Sequence, residues 1–279
     1  MLALQPETGS VRVEYRGRTI ARYVFDSPAN HPYFDAVTPL EHDGVLTLDR
    51  PYDHPWHHGL WFAWKFANDT LFWESAAHDP DGVGPMLGQS RAVCTKIVEN
   101  SIQQRLAWVD SLGTVFLDED RVLEFGDDQA GWHIDWAMDF TARFPVRLHA
   151  TKIVPETPWG GYSGLAYRPA RAMNCDELLA AAGSVDPAVI HGSRGLWVAY
   201  SGPVDGGDEP FGSPRRGGIR LRAKTPTPIY AYSESFQSWV LMVALSPVMH
   251  GDLHLAAGEH LRLEYRVDVI GSAITEAPV

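Results

Sequence analysis

Alternation with a period of two residues is the feature that most constrains what this chain can fold into. Over residues 132–140, Trp132, Ile134, Trp136, Met138 and Phe140 fall on one side, and His133, Asp135 and Asp139 on the other. Near the C-terminus, Leu261, Leu263, Tyr265, Val267 and Val269 alternate with Arg262, Glu264, Arg266 and Asp268. Such a pattern requires pleated strands with one buried and one solvated face, as antiparallel sheets provide. Val11 to Tyr15, then Arg16-Gly17-Arg18, then Thr19 to Phe25 reads as a hairpin. Further strands are expected near residues 44–48, 59–66, 91–98, 102–109, 119–125, 146–154, 195–201, 218–223, 228–232 and 238–245. The 25 glycines and 20 prolines punctuate the gaps between them. One helix is expected, over residues 175–182, capped by Asn174 or Asp176 and closed by Gly183. Many strands and scarcely a helix point to an all-β fold, a large antiparallel sandwich or barrel. Residues 202–217, rich in Gly, Pro and Asp, read as one long surface loop. No composition shift divides the chain, so a single domain over 1–279 is expected.

Composition narrows the function classes. A net charge of −12 over 279 residues argues against a nucleic-acid partner, which needs clustered Lys and Arg. Only Cys94 and Cys175 occur, too few for a disulfide framework, so a reducing compartment is the simpler expectation. The first residues, Met1-Leu2-Ala3-Leu4-Gln5-Pro6-Glu7, do not read as a signal peptide. The longest apolar run, residues 239–245, is far short of the ~20 residues that span a bilayer. A soluble, cytoplasmic protein with no membrane partner is expected; monomer and homo-oligomer are both left open.

Function concentrates in Asp53-His54-Pro55-Trp56-His57-His58-Gly59, followed by Leu60-Trp61-Phe62-Ala63-Trp64. Imidazoles titrate near neutrality and can move protons or hold a metal. Indoles beside them offer flat apolar faces with one polar edge, suited to the C–H face of a sugar as well as to a core. A core alone has little use for three histidines in five residues.

These residues carry a resemblance. His31-Pro32-Tyr33-Phe34, the Asp53-His54-Pro55 run with His57, Gly59 to Trp64, and Phe72-Trp73-Glu74 resemble the PmoA-like family of bacterial proteins. So do Gly160 to Arg168, Trp197 to Gly202, and Gly258 to Arg266. The similarity runs through nearly the whole chain in order. The commoner family form has His at position 56 and Arg at 58, so Trp56 and His58 carry over poorly, and His54 and His57 better. Members often bear the label methane oxygenase, which suits a membrane subunit; with no span in this chain, that label is taken as inherited by name. The resemblance also implies a galactose-mutarotase-like supersandwich, a large antiparallel two-sheet architecture whose concave sheet binds carbohydrate.

Each candidate residue has a role and a plainer alternative. His54 or His57 is a general base, oriented by Asp53, unless the histidines only satisfy loop carbonyls. The resemblance to mutarotase-like enzymes implies a late carboxylate as partner, and Glu234 is the positional choice, with Glu156 and Glu74 as competitors. His31, Asp53, Trp56, His58, Trp61, Trp159, Tyr167 and Arg168 are the expected substrate contacts. Arg168 would clamp substrate oxygens, its alternative being an ion pair with a core-edge acid. Trp64 shares its alternation with Leu60 and Phe62 and is expected in the core, whereas Trp61 lies on the opposite face with Lys65. No cofactor is expected; a divalent metal, if one binds, would take His54, His57 and Glu156. Cys94 sits in an apolar strand without a base and is not a nucleophile candidate. The functional expectation is acid–base chemistry on a sugar or keto-sugar glycoside, by an epimerase, lyase or hydrolase. The alternatives are a non-catalytic carbohydrate-binding module and a metal-dependent hydrolase.

Overall fold

The computed structural model describes residues 1–75, 86–173, 177–181, 183, 186–205, 212–232 and 242–274. Its strands, in chain order, begin with β1 (Leu2–Glu7), β2 (Ser10–Tyr15), β3 (Arg18–Val24), β4 (Tyr33–Val37) and β5 (Leu60–Ala63). Two short strands follow, β6 (Phe66–Ala67) and β7 (Thr70–Leu71), then four long ones: β8 (Gly88–Val98), β9 (Ser101–Asp110), β10 (Val115–Asp128) and β11 (Gly131–Ala142). Next come β12 (Val146–His149), β13 (Gly164–Tyr167), β14 (Glu177–Ala180), helix α1 (Pro187–Ile190) and β15 (Arg194–Pro203). The last are β16 (Arg216–Tyr230), β17 (Val243–Leu245), β18 (Leu253–Leu255) and β19 (His260–Ile270). All pairings between these strands are antiparallel.

Two layers are made from one hydrogen-bonded path. The order β1-β2-β3-β4-β5-β13-β17 forms the first layer, and β16-β19-β11-β10-β9-β8 the second, with β15 and β14 on the free side of β16. Strand β16 joins them: its Gly218 to Ala223 stretch pairs with β19, and its end, Ile229 and Tyr230, pairs with β17. A separate small sheet runs β18-β12-β6-β7. The layers face each other, with Phe34 edge-on to Trp136 at 5.9 Å and Phe62 against Phe140 at 5.8 Å. The expected large antiparallel two-sheet β-sandwich is therefore what the chain forms.

The alternation read from the sequence is the packing. Trp132, Ile134, Trp136, Met138 and Phe140 are buried between the layers, and the β11–β19 register sets Trp136 beside Tyr265 and Ile134 beside Val267. The opposite, solvated face carries Asp139 paired with Arg262, and Arg266 paired with Asp135, Asp128 and Asp268. This charged face bounds a hollow of about 570 Å³ that contains no histidine. Its ion pairs satisfy one another across strands.

The helix expected over 175–182 is corrected. Residues 174–176, 182 and 184–185 lie outside the described set, and Glu177–Ala180 is strand β14, paired residue by residue with β15. Leu178 and Ala180 turn inward, so burial on a pleated surface outweighs the helical preference of a Leu-Ala run. The helix among the described residues is the four-residue α1, capped by the Asp186 side chain on the Ala188 N–H. Cys94 lies exposed on the edge strand β8. No described helix is long and apolar enough to cross a membrane.

A polar network stitches the two layers through the core. Glu119 and Arg121, two residues apart on β10, point to the same side and are both fully buried. Arg121 Nε donates to Glu119 Oε1 at 2.6 Å, Trp108 Nε1 donates to Glu119 Oε2 at 2.8 Å, and Arg121 Nη1 reaches Tyr23 Oη at 3.1 Å. Tyr23 in turn donates to Gln104 at 2.6 Å. Burial pushes the Tyr23 phenol up to about 12 despite the neighbouring Arg121. The pair is stable because each charge is matched and hydrogen-bonded; removing one partner strands the other in a dry core. Glu119→Gln is expected to cost about 3–5 kcal/mol in urea unfolding at pH 7, whereas a loss below about 1 kcal/mol would show that the pair does not hold the layers.

Candidate functional site

The histidine segment is a loop fastened at both ends to one residue. Leu48 N–H donates to the Arg168 carbonyl at 3.0 Å, and Arg168 N–H donates to the Gly59 carbonyl at 2.9 Å. Residues 49–58 therefore leave and rejoin the first layer beside the end of β13. Gly59 is required at that junction, because a Cβ there would sit 2.6 Å from the Phe34 carbonyl oxygen. Within the loop, His54 N–H donates to the Pro51 carbonyl and His57 N–H to the His54 carbonyl, at 3.1 and 2.8 Å. These consecutive turns stack the His54 and His57 rings, with centroids 4.7 Å apart.

Arg168 also fixes the loop from below. Fully buried, it donates from Nη2 to Asp53 Oδ2 at 3.1 Å and lies with Nη1 3.4 Å from His57 Nδ1. A guanidinium has only donors, so His57 Nδ1 is the acceptor and the ring proton sits on Nε2. Burial, then the Arg168 charge, pushes His57 well below the ordinary imidazole range. His57 is thus a neutral N–H donor. Asp53 also accepts from Arg171 at 3.0 Å and meets His54 Nδ1 at 2.9 Å. Burial alone would raise the Asp53 carboxyl, but His54 and Arg168 outweigh it and hold it down to about 2. An ionised carboxylate accepts from His54 Nδ1–H, which leaves Nε2 of His54 with a lone pair. The two stacked rings therefore have opposite roles, His54 as acceptor and His57 as donor.

Above them opens a chamber of about 330 Å³, lined by His54, Trp56, His57, Lys65, Glu74, Trp159, Tyr162, Tyr230, Tyr232 and Met242. One wall is a buried cluster. Lys65 Nζ is bonded to Glu74 and donates to Tyr162 Oη at 2.6 Å, and Tyr162 Oη lies 2.6 Å from Glu74 Oε1. Glu74 Oε2 is buried with no hydrogen-bond partner among the described residues. Burial pushes the Lys65 ammonium down, against the pull of Glu74, and pushes the Tyr162 phenol well up, with Glu74 adding to it. Tyr230 donates to the Trp159 carbonyl at 3.0 Å and stands edge-on to Tyr162, which sets the aromatic side of the chamber.

Several expected contacts fall elsewhere. Trp61 is fully buried and lines neither the chamber nor its mouth; it packs under His57 and Trp73 as a floor. Tyr167 is likewise fully buried, its hydroxyl donating to the Leu46 carbonyl at 2.7 Å. Arg168 is spent on Asp53 and His57 and supports the loop from beneath. Trp56 and Trp159 do line the chamber, Trp159 being 39% exposed. His31 and His58 border a separate hollow that shares Trp56 with the chamber. Glu234 lies outside the described residues. Glu156 is exposed in the loop before Trp159, and no group of three or more His, Cys, Asp or Glu among the described residues is arranged to hold a metal, so His54, His57 and Glu156 do not form a ligand set there. Sequence reasoning passed over Lys65 and Tyr162 as chemical groups. A lysine inside the apolar run from Leu60 to Ala67 was the available signal, since a buried ammonium demands a partner.

Comparison with known proteins adds the family. A model described as a family of unknown function, DUF6807, matches residues 10–279. The chain belongs to this family. No curated protein matches. Among solved structures, this DUF6807 chain is similar to a galactose mutarotase related enzyme from Lactobacillus acidophilus, at TM-score 0.41 and 6% identity over 98% of both chains. It is also similar to galactose 1-epimerase from Lactobacillus acidophilus NCFM, at TM-score 0.36 and 8% identity over 98% of both chains. A putative kojibiose phosphorylase from human microbiome is a third, at TM-score 0.33 and 10% identity over 61% of this chain; the match spans 18% of that protein.

The buried imidazoles give a pH signature. His31 and His57 are held well below the ordinary range by burial, and His191 is lowered to about 4 by burial and the nearby His250. The unfolded chain binds protons at these rings below about pH 6.5 while the folded chain does not. Stability is thus full above that pH and falls as the pH drops toward the folded values. Each of the two enclosed rings, His31 and His57, contributes roughly 1.4 kcal/mol per pH unit in that window. Thermal melts are expected to show a clear fall in Tm from pH 7 to pH 5; an unchanged Tm would contradict neutral buried imidazoles.

Proposed function

We propose that the chamber is the active site of a carbohydrate-active enzyme that works by acid–base catalysis on a sugar or keto-sugar glycoside. The observation that carries this reading is an Asp-oriented base and a buried acid cluster bordering one aromatic-lined chamber of ring size. Indole and phenol faces suit the C–H face of a pyranose, while His54, His57 and Tyr162 supply the polar contacts that orient it.

The division of labour follows from the proton positions. His54 Nε2 accepts a proton from a ring carbon next to a carbonyl, or from a hydroxyl, and Asp53 stabilises the imidazolium that forms. Negative charge then develops on the substrate oxygen. His57 Nε2–H and the Tyr162 hydroxyl are the donors available to it, and Lys65 replaces a proton given up by Tyr162. Return of a proton to the ring gives epimerisation; expulsion of a neighbouring oxygen substituent gives elimination. Glu74 accepts from Lys65 and holds it in place, and it accepts from Tyr162 until that hydroxyl turns to the substrate oxygen.

Each positioned acid or base contributes typically 10²–10⁴-fold. On a panel of sugars and keto-glycosides, His54→Gln and Tyr162→Phe are each expected to lower kcat by a factor in that range, with KM changed only a few-fold. A second reading, a non-catalytic carbohydrate-binding module, draws on the partly exposed Trp159 at the chamber wall. No turnover at any pH, with sugars still raising Tm, would replace the enzymatic reading by that one.

A further inference from the structure

Trp56 borders two hollows. Besides the chamber there is a second space of about 360 Å³, bordered by His31, Tyr33, Arg50, His58 and Trp73. Three observations show that it is built for a polar ligand. First, His58 Nδ1 meets Asp49 Oδ1 at 2.6 Å, so a carboxylate fixes the ring and directs its lone pair to Nε2. The His58 ring is held flat against Tyr33 with centroids 3.7 Å apart. Second, His31 and Trp73 bring an imidazole and an indole to the same wall, both enclosed by protein. Third, Tyr33, Trp56 and Trp73 repeat the aromatic lining of the first chamber.

Each space falls at the small end of the roughly 300–1,000 Å³ range of ligand pockets and has room for a sugar ring. We propose that the second hollow is a further ring-binding subsite, so that the substrate is a glycoside of two rings, one in each of the hollows that share Trp56. This rests on the sugar reading of the first chamber. Asp49 and His58 act here as a hydrogen-bonding pair for a ring hydroxyl, and His31, T-shaped to His58 at 5.4 Å, holds that ring from the side.

Calorimetric titration of the full chain with matched probes tests this: glucose and galactose against cellobiose, maltose, laminaribiose, sophorose and lactose. The best disaccharide is expected to bind at least tenfold more tightly than its component monosaccharide. His58→Ala, and Ala29→Trp as a plug at the wall of the second hollow, should each abolish that gain and leave monosaccharide affinity within twofold of the parent. A monosaccharide that binds while no disaccharide gains over it would overturn the subsite and leave the first chamber standing. A gain that survives the plug, or variants that weaken both ligands equally, would also overturn it. No binding by any sugar would overturn both readings.

Discussion

One buried guanidinium organises the site. Arg168 has no exposed surface, yet its backbone joins both ends of the 49–58 loop and its side chain holds Asp53 and His57. Its charge is withdrawn from water, so it must be matched; Asp53 supplies the countercharge and stays ionised in consequence. From that single requirement follow the directions of two protons. His57 accepts from Arg168 and presents Nε2–H, whereas His54 donates to Asp53 and presents a lone pair. A positioning arginine thus makes two chemically different groups out of two stacked imidazoles.

The sandwich supplies the rigid base on which this loop rests. The core pair Glu119–Arg121 is held between the layers, and Phe34 and Phe62 pack across the same interface from β4 and β5. Those strands carry their other faces toward the loop, where Tyr33 and Trp61 support His58 and His57. Alternation along a strand is therefore what links the core to the site: one residue packs inward and the next supports a histidine. The same arrangement yields a second Asp–His pair, Asp49–His58, and His58 borders a separate hollow that shares Trp56 with the chamber.

The long amphipathic strands were legible, because β11 and β19 bury one face and solvate the other, which writes the pleat into the sequence. Strands β4 and β13 were not, since the short Tyr33–Val37 shows no alternation and Gly164–Tyr167 is covered on both faces. Strand β14 was misread as helix because pairing with β15, a tertiary contact, decides its state. The histidine cluster was readable as a candidate from its spacing, and Trp56 and Trp159 line the chamber beside it. The acid cluster was not, for a reason of distance along the chain. Lys65, Glu74 and Tyr162 meet only after β5 and β13 pair, and no local spacing announces that. In the sequence Arg168 fits a substrate clamp and an ion pair with a core-edge acid alike; in the fold it is buried and pairs with Asp53.

The chemistry of the chamber depends on the proton positions of His54 and His57, and ring nitrogen-15 NMR reads them directly at pH 7, with assignments from His54→Gln and His57→Gln. His57 should be neutral with its proton on Nε2 and remain so down to pH 5, and His54 should carry its proton on Nδ1. A His57 ring that is protonated on Nδ1, or cationic at pH 6, would contradict the role assigned to Arg168 and with it the chemistry proposed for the chamber.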